Sequence, residues 1–290
     1  MLNIKQIFNS TQFRALESAL SKGDVLNRVL TVGYMIDKYN AYHLILQPLV
    51  SIVTVSYNSA DTIEQTIQSV TKQTYPNIEY IIIDGGSRDG TVEIIKRYQD
   101  KISFWISEPD MGIYDAMNKG ISYAKGDYIG IINSDDWYEL DAIEKIVSKI
   151  KEDPIIIYGN MMCEKEIPEL VKPARDLSTL KKQMSIFHPS TFVKSDAYKK
   201  YGLFNIEYKI SADWDMMLRL YENGCSFCYC DETIAHFRMS GISSNFDKRQ
   251  IEERKRLRIS HGNSSFLLTV KDILILIYRT VKKYVTTKIL

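Results

Sequence analysis

Residues 49–86 read LVSIVTVSYNSADTIEQTIQSVTKQTYPNIEYIIIDGG. The stretch contains two runs rich in β-branched residues, 49–57 and 78–86, of the kind that parallel sheets bury on both faces. Between them, Asn58 and Asp61 supply turn and capping chemistry, and residues 61–73 have the pattern of a helix. The stretch therefore predicts a β-α-β unit, which is the building block of an open parallel sheet.

The same alternation continues on the C-terminal side as far as residue 160. Helices are predicted over 91–100, 111–126 and 140–153, and strands over 101–108, 127–138 and 154–160. The pattern predicts an α/β fold with a Rossmann-like, mostly parallel sheet flanked by helices. Beyond residue 160 the pattern loosens, with strands expected near 190 and 225 and a helix over 213–224.

The composition is that of an ordinary globular chain. Of 290 residues, 45% are hydrophobic and 25% are charged, and the net charge is +1. Such a balance allows one large domain or two small ones and gives no reason to expect a nucleic acid partner. Of the four cysteines, Cys225, Cys228 and Cys230 crowd into CSFCYC. We interpret that segment as a reduced, half-buried strand rather than a metal or disulfide site, because it holds one CxxC pair and a zinc site usually needs four ligands.

The two ends of the chain differ from its centre. Residues 1–47 are predicted to be a helical extension that packs on the domain or forms a homo-oligomer contact. Residues 246–290 are predicted to be a second, basic and apolar helical extension, and two interpretations of 264–290 stay open. These residues either lie in a membrane interface or pack as a core helix. With no signal peptide and no spanning segment, we expect a cytoplasmic protein, peripheral on the inner face of the membrane if the C-terminus binds lipid.

Carboxylates cluster where the predicted strands end. Asp84 ends the second strand, Asp110 follows the third, and Ser134, Asp135 and Asp136 end the fourth. Ligands of open α/β sheets bind outside the carboxyl ends of the strands. Adjacent carboxylates repel each other, so the Asp135–Asp136 pair favours a hard divalent cation, although a solvated acidic loop is the alternative.

Several other phosphate-binding and catalytic motifs do not occur in the chain. There is no GxxxxGKS/T, no GxGxxG after a strand and no GxSxG elbow. A P-loop ATPase, a dinucleotide-dependent dehydrogenase and an α/β-hydrolase are therefore disfavoured.

Three segments together resemble the family 2 glycosyltransferases of the GT-A fold: residues 51–91, 107–138 and 211–220. The segment SEPDMGIYDAMNKG (107–120) is similar to bacterial enzymes that assemble capsule, exopolysaccharide or O-antigen units. The resemblance implies a glycosyltransferase domain over 48–245, with a nucleotide-sugar half at 48–160 and an acceptor half at 161–245.

The resemblance implies a set of donor contacts. Asp84 matches a carboxylate that hydrogen-bonds the nucleobase, but the second of two adjacent aspartates in many relatives is replaced here by Gly85. The residues expected to contact the nucleotide-sugar are Ser56, Tyr57, Asn58, Asp84, Asp115, Lys119, Ser134 and Asp135.

The resemblance also implies a metal site and a catalytic base. Asp136 is the expected ligand of Mn²⁺ or Mg²⁺, with His236 as a second candidate. Asp213, in SADWD, matches the family's catalytic base, although Ala212 stands where many relatives have Glu. His188 is a weaker candidate for a role in the site. The QxxRW motif of processive synthases is absent, which predicts the transfer of one sugar per encounter.

The function that the resemblance implies is inverting, metal-dependent transfer of a sugar from a nucleoside-diphosphate sugar, expected to be a UDP-sugar. The expected acceptor is a saccharide or a polyprenyl-linked saccharide in cell-surface polysaccharide biosynthesis. Two alternatives are a sugar-phosphate nucleotidyltransferase and a non-catalytic scaffold of a polysaccharide assembly complex. The first would need a Gly-rich, basic loop after the first strand, and YNSADT (57–62) is neither.

Overall fold

A computed structural model describes residues 47–150, 153–239 and 248–262. The chain divides into two units, Met1–Pro48 and Leu49–Leu290, and nearly all described residues belong to the second. The predicted extension 1–47, apart from residue 47, and the segment 264–290 lie outside the described residues.

Strands and helices alternate through the first half of the described chain, as the sequence pattern predicts. The strands of the described residues are β1 Val50–Ser56, β2 Ile78–Asp84, β3 Phe104–Ser107, β4 Tyr128–Asn133, β5 Trp137–Tyr138, β6 Ile156–Glu164, β7 Glu169–Val171, β8 Thr191–Lys194 and β9 Phe227–Arg238. The α-helices are α1 Ile63–Thr71, α2 Thr91–Arg97, α3 Ile113–Tyr123, α4 Ala142–Lys149, α5 Ser195–Tyr201, α6 Ala212–Glu222 and α7 Lys248–Ser260. Short 3₁₀ turns occur at Gln99–Lys101, Leu177–Lys181 and His188–Ser190.

The described strands form one sheet in the order β3-β2-β1-β4-β8-β6-β9-β5, with β7 beside β6. The first four are mutually parallel, which confirms the predicted Rossmann-like half of an α/β fold. The second half is mixed, because β8 lies antiparallel between β4 and β6. The predicted strand at 154–160 therefore does not extend the parallel series directly. The strand expected near 190 is β8, but a strand of four residues gives no local indication of its direction in the sheet.

Hydrophobic residues cover both faces of the parallel half. Val53 and Ile81 face the layer that contains Met117 of α3. Ile52 and Ile82, one position away in each strand, face the layer that contains Ile67 of α1. Because side chains alternate along a strand, a continuous apolar run is what a sheet with helices on both sides requires.

The four cysteines, all within the described residues, are not joined by disulfides, and Cys163 and Cys230 are buried. In the described part of the chain, no helix has the length and apolar character needed to cross a bilayer.

Helix α3 approaches β1 most closely at Gly120. A Cβ atom at this position would overlap the side chain of Val53, which is itself fully buried. The absence of a side chain at residue 120 therefore sets the distance between α3 and the sheet.

We predict that Gly120→Ala lowers the free energy of unfolding by about 1–3 kcal/mol, because an added methyl group overpacks a filled core. Urea denaturation followed by circular dichroism measures this change. Ser122→Ala, on the exposed side of the same helix, is the control and should shift stability by less than about 0.5 kcal/mol. Equal stabilities of wild type and Gly120→Ala would contradict the packing argument.

Candidate functional site

The carboxyl ends of the first three strands are tied together by the side chain of Asp84. Its Oδ1 accepts hydrogen bonds from the hydroxyls of Ser56 on β1 (2.9 Å) and Ser87 (2.5 Å). Its Oδ2 accepts from the Ser107 hydroxyl on β3 (2.6 Å) and from the backbone N–H groups of Gly86 (3.1 Å) and Ser87 (2.8 Å). One carboxylate thus joins three strands and the loop that follows β2.

This arrangement does not match the role expected for Asp84, which was to accept a hydrogen bond from the nucleobase. The residue is fully buried, and five protein donors already occupy its two oxygens. A carboxylate has about four lone-pair sites, so a hydrogen bond to a nucleobase would have to displace a protein donor. The structure therefore favours a structural role for Asp84 over nucleobase recognition.

The loop after β1 is fixed by Asn58, whose backbone is left-handed (φ 49°). Asparagine tolerates this conformation better than most residues. Its Oδ1 accepts from the backbone N–H of Arg88 (3.0 Å), and its own N–H donates to the Ser87 hydroxyl (2.8 Å). The ring of Tyr57 beside it is 65% exposed.

A cavity of about 1160 Å³ opens at this edge of the sheet. Its walls come from the ends of β1 and β4, the start of α3, the segment 184–189, the start of α6 and α7. The predicted site residues that border it are Ser56, Tyr57, Asn58, Ser134, Asp135 and Asp213.

Of the two adjacent aspartates, Asp135 borders the cavity and Asp136 lies behind the wall. Asp136 is fully buried, and its Oδ1 accepts from the backbone N–H of Arg238 (3.0 Å). Burial and the charge of Asp135 raise the pKa of Asp136 well above its usual range, and burial also raises the pKa of Asp135. Asp135, an expected donor contact, thus borders the cavity, whereas Asp136, the expected metal ligand, has no exposed surface in the structure.

Asn133, at the end of β4, was missed by sequence reasoning. Its Oδ1 is buried and has no hydrogen-bond partner among the described residues, and the residue borders the cavity with Asp135. Its Nδ2 lies 3.4 Å from Oδ2 of Asp136. An unpaired buried carbonyl oxygen is costly, so this atom suits a ligand that brings a cation or a donor. The signal in the sequence is its place as the last strand residue before the acidic pair.

His236, the second metal candidate, has both ring nitrogens paired with glutamates. Its Nδ1 lies 2.7 Å from an oxygen of Glu164 and its Nε2 lies 2.8 Å from an oxygen of Glu139. The ring of Trp137 stacks on it at 5.0 Å. The next residue, Phe237, borders the cavity. Because side chains alternate along β9, His236 is directed to the other face.

Asp115 and Lys119 brace a loop instead of facing the cavity. The Lys119 ammonium lies 2.9 Å from Glu108 and 3.6 Å from Asp115, and it donates to the carbonyl of Pro109 (3.2 Å). Asp115 accepts from the backbone N–H of Met111 (3.1 Å). The hydrogen bond to Glu108 raises the pKa of Lys119. Both predicted donor contacts thus hold the loop 108–111 in place.

Asp213 lies in the first turn of α6 and borders the cavity. Its Oδ1 accepts from the backbone N–H of Trp214 (2.8 Å) and lies 3.1 Å from the hydroxyl of Tyr114. That hydroxyl is also 2.9 Å from the carbonyl of Ile210. Burial and the charge of Asp213 raise the pKa of Tyr114 well above its usual range, so the phenol stays a donor at neutral pH. The carboxylate of Asp213 is held in one orientation.

Helix α7 anchors the segment that leads into α6. The Glu253 carboxylate accepts hydrogen bonds from the backbone N–H groups of Lys209 (2.7 Å), Ile210 (2.8 Å) and Ser211 (2.7 Å). Arg254, the next residue, borders the cavity, and burial lowers the pKa of its guanidinium while the charge of Asp213 opposes this shift. The position of Asp213 therefore depends on a helix that is remote in sequence.

His188 borders the same cavity, with its Nε2 buried and without a hydrogen-bond partner in the described part of the chain. Burial lowers the pKa of its imidazole, which is therefore neutral at pH 7. The wall on this side is mostly apolar and comprises Met161, Cys163, Met184, Ile186, Phe187 and Phe237.

Comparison with known proteins assigns a family to this site. The family model described as Glycosyl transferase family 2 matches residues 51–208. An uncharacterized glycosyltransferase of Rickettsia typhi is 34% identical over 196 residues, and the match covers 63% of this chain and 60% of the relative. A glycosyltransferase of Mycobacterium tuberculosis named for PGL/p-HBAD biosynthesis is 29% identical over 182 residues, covering 61% of this chain and 71% of the relative.

Solved structures share the fold at low identity. TarS of S. aureus, residues 1–349 in complex with UDP-GlcNAc, superposes with a TM-score of 0.62 at 16% identity, covering 76% of this chain and 69% of that one. A mannosyltransferase of Pyrobaculum calidifontis in complex with GDP-Man and Mn²⁺ superposes with a TM-score of 0.54 at 17% identity. The match covers 75% of this chain and 66% of that one. These likenesses confirm the expected GT-A-like α/β fold.

We predict that Asp84→Asn lowers the free energy of unfolding by about 3 kcal/mol, because the new amide N–H₂ meets donors that the carboxylate had satisfied. Chemical denaturation measures the change. Asp100→Asn, which makes the same chemical change at an exposed position, should leave stability unaltered. If Asp84→Asn had the same free energy of unfolding as the wild type, the carboxylate would not be what holds the strand ends together.

Proposed function

The chain belongs to glycosyl transferase family 2 and is a glycosyltransferase, and on that premise we propose that it is an inverting, metal-dependent enzyme. It transfers a sugar from a nucleoside-diphosphate sugar to an acceptor hydroxyl. The observation that carries the proposal is the single cavity bordered by both Asp135 and Asp213. The carboxylate proposed to hold the donor's cation and the carboxylate proposed to take the acceptor's proton thus border the same cavity.

The donor half of the cavity comprises the ends of β1 and β4. Ser56, Tyr57 and Asn58 contribute the β1 side, and Ser134 contributes the β4 side. The Ser134 hydroxyl lies 2.7 Å from that of Ser59, which fixes the two strand ends relative to each other. Complexes of the two fold neighbours with UDP-GlcNAc and GDP-Man support a nucleotide-sugar as the donor.

The residues present fit a Mn²⁺ or Mg²⁺ ion that is completed by the donor. Asp135 offers a carboxylate and Asn133 a buried carbonyl oxygen without a partner in the described chain. No group of three or more His, Cys, Asp and Glu that would hold a metal occurs among the described residues. The proposed cation is therefore one that is held by one or two protein oxygens, with phosphate oxygens and water completing its coordination. When bound, the ion would neutralise charge on the departing diphosphate.

Asp213 is the proposed base. Its Oδ1 is held by the Trp214 N–H and the Tyr114 hydroxyl, so Oδ2 is the atom proposed to take the proton from the acceptor hydroxyl. The attacking oxygen displaces the nucleoside diphosphate from the opposite side of the anomeric carbon, which inverts the configuration. The protein contributes mainly by holding donor and acceptor in line.

The proposed acceptor is a saccharide or a polyprenyl-linked saccharide of a cell-surface polysaccharide. The apolar wall formed by Met184, Phe187 and Phe237 supports an acceptor that carries an apolar group beside its reacting hydroxyl. The mycobacterial relative's name, which refers to PGL/p-HBAD biosynthesis, supports a role in cell-envelope assembly. Attachment to the inner face of a membrane would involve 264–290, which lie outside the described residues.

The family match favours transfer over the two alternatives raised by the sequence, a nucleotidyltransferase and a scaffold. A thermal-shift panel of UDP-, GDP-, dTDP- and CMP-sugars with Mn²⁺ tests the proposal, because a specific ligand stabilises the folded state. Stabilisation by none of them would contradict it.

We predict that Asp213→Asn leaves donor affinity unchanged and slows transfer by about 100- to 10,000-fold, the range for loss of a general base. Release of nucleoside diphosphate from the donor selected by the panel measures the rate. Asp215→Asn is the matched control in the same turn of α6. The Asp215 carboxylate pairs with Arg219 (3.2 Å) and His261 (3.1 Å), so its loss should lower stability and spare the rate per folded molecule. A normal rate in Asp213→Asn would remove the base assignment.

We predict that Asp135→Asn abolishes the gain in donor affinity that Mn²⁺ confers, because the cavity loses its cation-facing carboxylate. Calorimetric titration with UDP, with and without Mn²⁺, measures that gain. Asp136→Asn should keep most of it, because this side chain is buried behind the wall. The reverse result would restore Asp136 as the metal ligand.

A further inference from the structure

The hydroxyl of Tyr114 lies between two oxygen atoms at the start of α6. It is 3.1 Å from Oδ1 of Asp213 and 2.9 Å from the backbone carbonyl oxygen of Ile210. A phenol carries one proton, so it makes one full hydrogen bond as a donor at a time. The Tyr114 residue is 7% exposed and its ring packs against Phe204, with 5.7 Å between the ring centroids. Two acceptors therefore compete for the proton of a hydroxyl whose position is fixed by packing.

Oδ1 of Asp213 has a second donor in the first turn of α6. The backbone N–H of Trp214 belongs to the groups at a helix start that have no partner within the helix, and it donates to this oxygen (2.8 Å). Two donors fill the two lone-pair sites of Oδ1 while the carboxylate is ionised. Oδ2 is the oxygen proposed to take the acceptor's proton. The two oxygens of this carboxylate therefore differ, since one is held by the protein and the other is proposed to react.

The charge on Asp213 decides which acceptor the Tyr114 proton prefers. While the carboxylate is ionised, the hydrogen bond to it is charge-assisted and about twice as strong as one between neutral groups. Once Oδ2 has taken a proton, that charge is gone, and the carbonyl of Ile210, at the shorter distance, is the better acceptor. The Tyr114 hydroxyl has a partner in both states, so this buried donor is satisfied before and after the proton moves.

We propose that Tyr114 is a positioning residue of the transfer reaction, whose proton turns from Oδ1 of Asp213 to the Ile210 carbonyl when Oδ2 accepts the proton of the attacking hydroxyl. The inference rests on the proposed function, in which Asp213 is the base. The acceptor's O–H bond breaks as its oxygen bonds to the anomeric carbon, and the bond from that carbon to the diphosphate breaks. Tyr114 neither gains nor loses a proton in this step. Its role is to keep the base ionised and oriented before transfer.

Titratable and charged groups on three other elements interact with Asp213: Tyr114 on α3, Arg254 on α7 and His188 in the turn that it begins. The guanidinium of Arg254 also favours the ionised carboxylate, because an opposite charge stabilises it. The charge of Glu253, on α7 as well, helps to keep the Tyr114 phenol protonated. Burial lowers the pKa of His188, so this imidazole gains a proton only at acidic pH. An experiment at varied pH must therefore separate His188 from the base.

Tyr114→Phe tests the inference, because it keeps the ring and removes the hydroxyl. The rate of nucleoside diphosphate release is measured from about pH 4 to 9, with water as the acceptor and the nucleotide-sugar that stabilises the protein most in the thermal-shift panel. In the wild type the rate should rise with pH as the base ionises. Because loss of a donor destabilises the ionised carboxylate, the rising limb should move to higher pH by about one unit in Tyr114→Phe. The plateau rate should fall by less than about tenfold, since the base itself remains.

A purely structural role would lower the rate by one factor at every pH, and an unmoved limb would overturn the inference. Tyr128→Phe is the matched control, because this buried tyrosine of β4 donates its hydroxyl to the Pro154 carbonyl. Its loss should lower stability and leave the limb in place. His188→Gln should also leave the limb at its wild-type pH, whatever its effect on the rate. A limb that moved in His188→Gln and not in Tyr114→Phe would overturn the inference.

A stronger donor at the same position should have the opposite effect. 3-Fluorotyrosine introduced at position 114 keeps the ring and the hydroxyl, and its more acidic phenol makes a stronger hydrogen bond to the carboxylate. The limb should then lie at lower pH than in the wild type, which impaired folding would not produce, and a limb at or above the wild-type pH would overturn the inference. A normal rate in Asp213→Asn, or no release by the wild type, would instead count against the proposed function.

Discussion

The carboxylate of Asp84 is the constraint on which the site depends. It is fully buried and accepts hydrogen bonds from Ser56 on β1, from Ser107 on β3 and from the loop after its own strand. Burying a charge is favourable only when donors satisfy it, so these segments must meet at one point. The loops that begin there carry Tyr57, Gly85 and the Asp110 segment, and the donor half of the cavity is therefore positioned by a residue that does not face it.

Most of the fold could be predicted because its signals are local. The apolar runs of β1 and β2 and the helix between them are visible in 49–86, and the structure has them as predicted. A strand near residue 190 was expected and is present as β8, but its antiparallel place in the sheet could not be predicted, because its neighbours, β4 and β6, are remote in sequence. The mixed half of the sheet is a consequence of tertiary pairing rather than of local pattern.

The sequence points to the strand ends that border the cavity, but it does not distinguish which side chains at those ends face it. At the end of β4 the sequence shows two acids, yet only Asp135 borders the cavity, while Asp136 accepts the Arg238 N–H from β9. That partner lies about 100 residues away along the chain and leaves no local trace. Asn133 was overlooked for a similar reason, because a buried carbonyl oxygen without a partner among the described residues is a property of the folded chain.

The two halves of the cavity are positioned by different residues. The donor half is held by Asp84 within the parallel strands, whereas Asp213 is oriented through the Glu253 carboxylate of α7, which binds three backbone N–H groups ahead of α6. Sites that share no partners respond to substitution almost independently. A change at the donor end of the cavity need not disturb the proposed base, and a change in the acceptor wall need not disturb the donor end. Such separation lets one scaffold keep its transfer chemistry while the identity of either substrate changes.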